Sequence, residues 1–231
     1  MAKSPITKSE LRQIDRLVTH YNNNQELFIR FSDNVRALFS SDRLAPHIHS
    51  TKWRIKKPDH LKDKLIRKAV EFKSAGMEFD ITEENLFERI TDLVGFRILH
   101  LHTSQFKSIN KIVLDLIKEE EWEIIEEPTA RTWDDESRDY FNTLGIKTRD
   151  SERMYTSVHY VFTANKKKAC AAELQVRTLA EELWGEVDHK INYPHPTDRS
   201  SCREQIKVLA RITSGCTRLV DSIFHSHQEN D

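Results

Sequence analysis

Glycine is scarce in this chain: five in 231 residues, nowhere clustered. That excludes a Walker A phosphate loop, which needs a glycine-rich turn. Three cysteines, Cys170, Cys202 and Cys216, are an odd number without a CxxC spacing. They support neither a disulfide framework nor a zinc site. No apolar run approaches the roughly 18 residues of a membrane span. The N-terminus lacks the apolar stretch of a signal peptide. The expectation is a cytoplasmic protein with no membrane partner. Net charge is missing too: 36 basic and 37 acidic residues leave −1, which argues against a general nucleic-acid binder.

What is present is distributed unevenly. With 38% hydrophobic and 32% charged residues, the chain can bury a real core beneath a highly charged surface. Lys52, Arg54, Lys56, Lys57, Lys62, Lys64, Arg67, Lys68 and Lys73 face only Asp59, Asp63 and Glu71 in the same stretch. From Glu119 to Glu127 every charge is acidic. A neutral chain with one basic segment suits a polyphosphate, which needs cations only locally. The competing reading is a solvated helix face.

Periodicity orders the elements. Helices are expected over 9–21 and 25–39, a strand over 47–56, and a helix over 58–73 that Pro58 opens. A short helix follows Thr82, then a strand over 93–101, a helix over 104–121 and a strand over 122–125. Residues 128–150 read as a polar, irregular, functional loop. Strands over 155–163 and 169–177 are joined by a turn at Asn165-Lys166. A helix over 179–191 is stopped by Pro194 and Pro196, and a last helix runs over 202–224. The fold class is α/β (α+β): a mixed sheet of about five strands flanked by helices, in one domain. Residues 1–45 form a helical lead-in, 46–193 the catalytic core and 194–231 a C-terminal helix.

The chemistry concentrates in a few places. Glu173-Leu174-Gln175-Val176-Arg177-Thr178 alternates strictly, setting Glu173, Gln175 and Arg177 on one face. Asp92 heads another strand and is the natural Mg²⁺ ligand beside a phosphate cradle. That cradle is Arg54 and Lys56 on one strand face, with His60 and Lys64 one turn apart on the next helix. Strict alternation would set Arg97 opposite Asp92, unless the strand is irregular near Gly95. Arg138-Asp139-Tyr140 precedes Tyr155, Ser157 and His159, which share one strand face; a ring and a histidine there suit a base and its phosphate. Asp188-His189 resembles a metal-binding dipeptide, but adjacent helix positions do not converge.

Taken in order, these motifs resemble the synthetase domain of the RelA/SpoT family over about Arg54 to Tyr193. The resemblance implies a nucleotidyltransferase-like synthetase fold that moves pyrophosphate from ATP to the 3′-hydroxyl of GDP or GTP. It implies that Arg54 and Arg97 sandwich the adenine, while Lys56 and Lys64, with His60 beside them, hold ATP. Asp92 and Glu173 would bind Mg²⁺, with Glu173 also orienting or deprotonating the acceptor hydroxyl. Tyr155 would stack on the acceptor base, His159 would meet its phosphate, and Arg138 would neutralise the transferring group. Gln175 and Arg177 would support Glu173. At this length the chain resembles a single-domain small alarmone synthetase, and residues 194–231 suit a homo-oligomer.

The sequence departs from the family pattern at several points. Met154 stands where a glycine is usual before the stacking tyrosine, and His60 replaces a serine. Lys147, Arg149 and Arg153 occupy a longer loop. Glu182 stands where an asparagine near the guanine is common, and would accept guanine N–H groups. Two other readings stay open. One is a toxic relative acting on tRNA 3′-ends or adenosine nucleotides, with an antitoxin partner. The other is an inactive nucleotide-binding sensor.

Overall fold

A computed structural model describes residues 6–164, 170–193 and 196–228. The turn expected at Asn165-Lys166 and the stop expected at Pro194 lie outside the described residues. Helix α1 (Lys8–Asn23) starts at a capping box made by Thr7 and Glu10, and turns Ile14, Leu17 and Tyr21 inward. Helix α2 (Gln25–Phe39) adds Phe28, Phe31, Val35 and Phe39 to the same core. The Phe39 ring lies 5.3 Å from Phe96 and 5.8 Å from Phe162. The Tyr21 hydroxyl donates to the Lys56 carbonyl at 2.6 Å. The helical lead-in is therefore built into the core beneath the basic segment.

A short 3₁₀ turn at Ala45–His47 takes up the start of the strand expected from His47, and β1 is Ser50–Ile55. Pro58 opens α3 (Pro58–Ser74), whose Leu61, Leu65 and Ala69 are buried. The short α4 (Leu86–Arg89) leads to β2 (Val94–His100), then α5 (Gln105–Glu119). Next come β3 (Glu123–Thr132), α6 (Asp135–Thr143) and β4 (Lys147–Asp150). Then follow β5 (Ser157–Thr163), β6 (Ala171–Thr178), α7 (Leu179–Asn192) and α8 (Ser200–Gln228).

The sheet has six strands in the order β1-β2-β6-β5-β3-β4, so the expected five is corrected. The difference lies in 128–150, which is not an irregular loop. Strand β3 runs through Pro128 because the pairing with β5 shifts register between Glu126 and Thr129. A proline without a donor is tolerated at such an irregularity. Asp134 then caps α6 by accepting from the Ser137 amide at 2.9 Å. Strand β4 closes the sheet beside β3.

The main core lies on one face of the sheet, with Phe96, Ile98, Val158, Tyr160, Phe162, Leu174 and Val176 against α1, α2, α3 and α5. A smaller cluster of Trp184, Ile206 and Ala210, with Met154 and Tyr155, joins α7 and α8 to the segment before β5. Helix α7 crosses the opposite face of the sheet, where its acids meet side chains from β1, β2 and β6.

Candidate active site

Strand register assembles the site on the face away from the main core. Arg54 stands opposite Gly95, and Gly95 opposite Glu173. One step along, Lys52, Arg97, Gln175 and His159 form a continuous row. Thr129 extends that row, and Arg131 stands opposite Ser157 on the same face. Residues directly opposite in register project to one side, so five strands contribute to a single polar surface. Arg97 belongs to it. Asp92 precedes β2 rather than lying on it, so the alternation counted from Asp92 does not apply. Gly95 gives room: a β-carbon there would meet the Arg54 side chain at 3.4 Å.

Asp92 is gripped by both lysines of the cradle. Lys56 Nζ lies 3.0 Å from Oδ2 and Lys64 Nζ 2.8 Å from Oδ1. Burial pushes the Asp92 carboxyl up, but Lys56 and Lys64 together outweigh it and hold it below the usual range. Lys56 is 7% exposed, and its burial lowers its own pKa despite Asp92. His60 does not join this cluster. Its ring meets Tyr193 edge-on at 5.0 Å, and His189 stacks on Tyr193 at 4.6 Å. Burial, then Lys56 and Arg54, lower the His60 pKa.

Glu173 is held from both sides. His159 Nδ1 lies 2.9 Å from Oε1, and Gln175 Nε2 donates to Oε2 at 2.9 Å. Burial opposes ionisation, but the His159 and Gln175 bonds, with Lys64 adding to them, bring the carboxyl to about 2. The two acids are thus joined electrostatically by one lysine. His159 Nε2 is buried with no hydrogen-bond partner among the described residues. Tyr155 lies just before β5 rather than on it. Its ring faces Trp184 at 6.0 Å and His159 at 6.1 Å, and its hydroxyl accepts from Arg131 at 3.4 Å.

Two expected site residues are located differently. Arg138 lies on α6 and is bound to Asp150 at 2.7 Å and Asp135 at 3.5 Å. Helix α6 packs its Phe141 into the main core, on the other side of the sheet from Glu173. Arg131 is the cation that the fold brings to the Glu173 face, and Glu173 is among the charges raising its pKa. Glu182 is not open to a base: it is 5% exposed. It pairs with Lys52 at 2.8 Å, Arg97 at 3.1 Å and Arg177 at 3.1 Å. Glu186 adds contacts to Arg97 at 3.0 Å and Lys52 at 3.5 Å. Burial, then repulsion by Arg97, pushes Arg177 down to about 10; it stays charged at neutral pH.

Between β1 and α7 these residues leave a cleft of ≈ 230 Å³, lined by Lys52, Arg54, Arg97, Glu173, Gln175 and Glu186. Lys52, Arg131 and Glu186 were not singled out from the sequence as site residues. The alternation of Thr129, Ala130, Arg131 and Thr132 carried the signal for Arg131. The pairings of Lys52 and Glu186 left no local trace.

The fold and this face together define an α+β domain whose acids and cations, gathered on one side of a mixed sheet, suit a polyphosphate. Comparison with known proteins places it further. The model of the region found in RelA/SpoT proteins matches residues 53–198, more than half of the chain. The chain belongs to the RelA/SpoT family. GTP pyrophosphokinase YwaC of Bacillus subtilis (strain 168) is 28% identical over 171 residues, which span 71% of this chain and 68% of that protein. A GTP pyrophosphokinase family protein from Streptococcus pneumoniae superimposes with a TM-score of 0.62 at 20% identity, covering 91% of this chain and 93% of that one. Small alarmone synthetase 1 from Bacillus subtilis, bound to its product pppGpp, gives 0.56 at 18% identity, covering 92% and 96%. At these identities the structural likeness speaks for the fold.

Proposed function

We propose that this protein transfers pyrophosphate from ATP to the 3′-hydroxyl of GDP or GTP, yielding (p)ppGpp and AMP. The observation that carries the reading is the pair Asp92 and Glu173, the first bonded to Lys64 and the second lowered by its charge, with the acceptor-side His159 already bonded to Glu173. Family membership supports it.

The donor set suits Mg²⁺. Asp92 bonds Lys64 at 2.8 Å and Glu173 feels the same ammonium's charge, so two carboxylates are available near one cation. A hard dication commonly takes one or two carboxylates and completes its shell with phosphate and water oxygens. Asp92 and Glu173 would hold it, and it would neutralise charge on the phosphates being cleaved.

The chain's own residues do the rest. Lys56 and Lys64 exchange Asp92 for ATP phosphates. Arg54 and Arg97, on adjacent strands, flank the adenine. Tyr155 offers its ring to the acceptor base, and His159 in its protonated form would donate Nε2–H to the acceptor phosphates. The 3′-oxygen attacks the β-phosphorus in line, the bond to the α-phosphate oxygen breaks, and AMP leaves. A carboxylate at about 2 is a weak proton acceptor. Glu173 therefore orients the hydroxyl, whose proton passes to solvent water as the new bond forms. Arg131, rather than Arg138, is the cation beside this step.

An acceptor test separates the readings. The protein is incubated with Mg²⁺ and γ-labelled ATP together with GDP, GTP, ATP or tRNA. Label on GDP or GTP is expected. Label on tRNA or an adenosine nucleotide would transfer the assignment to the toxic relatives. Label on none would overturn the catalytic reading in favour of a sensor. Glu126, opposite Val161 and through it Glu173, adds an acid at the β3 end of this face, which is unfavourable to a nucleic-acid backbone there.

We infer also that α8 pairs with α8 of a second copy. Val208, Ile212, Leu219 and Ile223 are exposed large apolar residues on this helix. Pairing Val208 with Ile223, Ile212 with Leu219 and Gly215 with Cys216 gives one shared midpoint. The stripe is thus its own complement when antiparallel, as a two-fold interface requires. Sedimentation should give a dimer or a multiple of it, and Leu219→Glu should weaken it. A wild-type monomer at tens of micromolar would overturn the pairing.

A further inference from the structure

A second and larger cavity, ≈ 310 Å³, lies beyond the carboxyl ends of β2 and β6, beneath α8. It shares no lining residue with the cleft between β1 and α7. The carboxyl ends of parallel strands are where open α/β sheets commonly accept ligands. Phe106, Tyr140 and Phe141 supply aromatic walls, and His100, Glu181 and Asp221 supply polar ones.

Three of the polar groups facing this space, on His100, Glu181 and Asp221, act as acceptors. His100 Nδ1 lies 3.0 Å from the His102 carbonyl, which only accepts, so Nδ1 carries the proton. Burial keeps the ring neutral, with a pKa of about 4, and its Nε2 is therefore a lone pair. Asp221 Oδ1 accepts from the Thr103 amide at 2.5 Å, and Glu181 Oε2 from the Thr156 amide at 2.9 Å. The two arginines at the lining are already paired. Arg218 is bound to Asp134 and to Glu136, and Arg177 to Glu182. An anion would meet acids and occupied cations. An ammonium would meet acceptors and aromatic faces, which attract it.

We propose that this cavity is a second ligand site, taking a small protonated amine with an apolar body. Glu181 feels Arg177, but that cation is paired with Glu182, and burial raises the Glu181 carboxyl to about 7. A bound ammonium supplies it with a counter-ion. The space suits a compact ligand, at the small end of such pockets.

The test uses benzylamine against benzyl alcohol and benzoate, by calorimetric titration of the full chain at pH 7.5. Benzylamine should bind at least about tenfold more tightly than either. The isosteric Glu181→Gln should remove that preference. Thr217→Phe, filling the cavity from α8, should remove binding by all three, with a thermal melt verifying the fold. Arg54→Ala, in the other cleft, should leave the affinities for all three probes as they are. Equal binding of amine and alcohol, amine affinity that survives Glu181→Gln, or no binding at all would overturn the proposal.

Discussion

The Arg177 guanidinium lies directly against Gly185: a β-carbon at that glycine would stand 2.6 Å from Arg177 Nη1. Arg177 has little freedom to withdraw, since Glu182 pairs with it at 3.1 Å and Gln175 accepts from it at 2.9 Å. An alanine in a helix is ordinarily better than glycine by roughly 0.5–1 kcal/mol. Here Gly185→Ala is expected to lower the melting temperature and to reduce kcat/KM about tenfold, roughly 1.4 kcal/mol. A variant as stable and active as the wild type would show that Arg177 can yield.

Glu182 is the shared counter-ion of Lys52, Arg97 and Arg177. Removing its charge leaves Arg177 buried without its partner. Glu182→Gln should therefore lose about 3 kcal/mol, the scale for breaking a buried pair. Urea denaturation measures this. A loss under about 1 kcal/mol would class the network with exposed ion pairs.

Asp92→Asn and Glu173→Gln should each reduce transfer by about 10³-fold, the scale for removing a preorganised charge. Circular dichroism should stay unchanged, since each substitution keeps shape and leaves the main core untouched. Label-transfer rates with GDP and GTP give the readout. Substantial activity in either variant would remove that acid from the metal assignment.

Glu181 and His100 give opposing pH dependences. Burial raises Glu181 from 4.5 to about 7, so its protonated form is favoured in the fold. Its contribution is full below 4.5 and is lost as pH rises towards 7. Burial lowers His100 from 6.5 to about 4, so its contribution is full above 6.5 and is lost as pH falls towards 4. The Thr156 amide, Arg177 and Asp134 act on Glu181, with Asp221, Arg218 and His225 lining the same cavity. Between 4.5 and 6.5 the two slopes offset. Unfolding free energies across that window should fall with acid more steeply in Glu181→Gln than in the wild type. Parallel profiles would argue against the raised carboxyl.

The polar strand was legible because alternation is local: Glu173, Gln175 and Arg177 needed only their own neighbours. Asp92 and the lysines of the cradle were legible as residue types in order, and the fold joins them as ion pairs. Arg138 misled because its motif carries no sign of the sheet face, and α6 turns it to Asp150. Arg131 was hidden behind Pro128, which reads as a strand breaker until the register shift accommodates it. Glu182 depends on partners from β1, β2 and β6, a convergence that no local pattern encodes. Met154 was noticed as a departure, and its φ of +61 shows what is unusual there: a side chain occupies a left-handed turn that glycine enters without strain.

The lysines on Asp92 and the cations on Glu182 have one consequence for how nucleotides arrive. Before any substrate binds, the positive charges meant for phosphate are already answered by carboxylates a hydrogen bond away. Binding is then an exchange of ionic partners rather than the filling of an open positive well. Affinity should respond to ionic strength less steeply than the number of lysines and arginines suggests. The long-range pull that accelerates encounter should be weak, leaving selectivity to contacts made after docking.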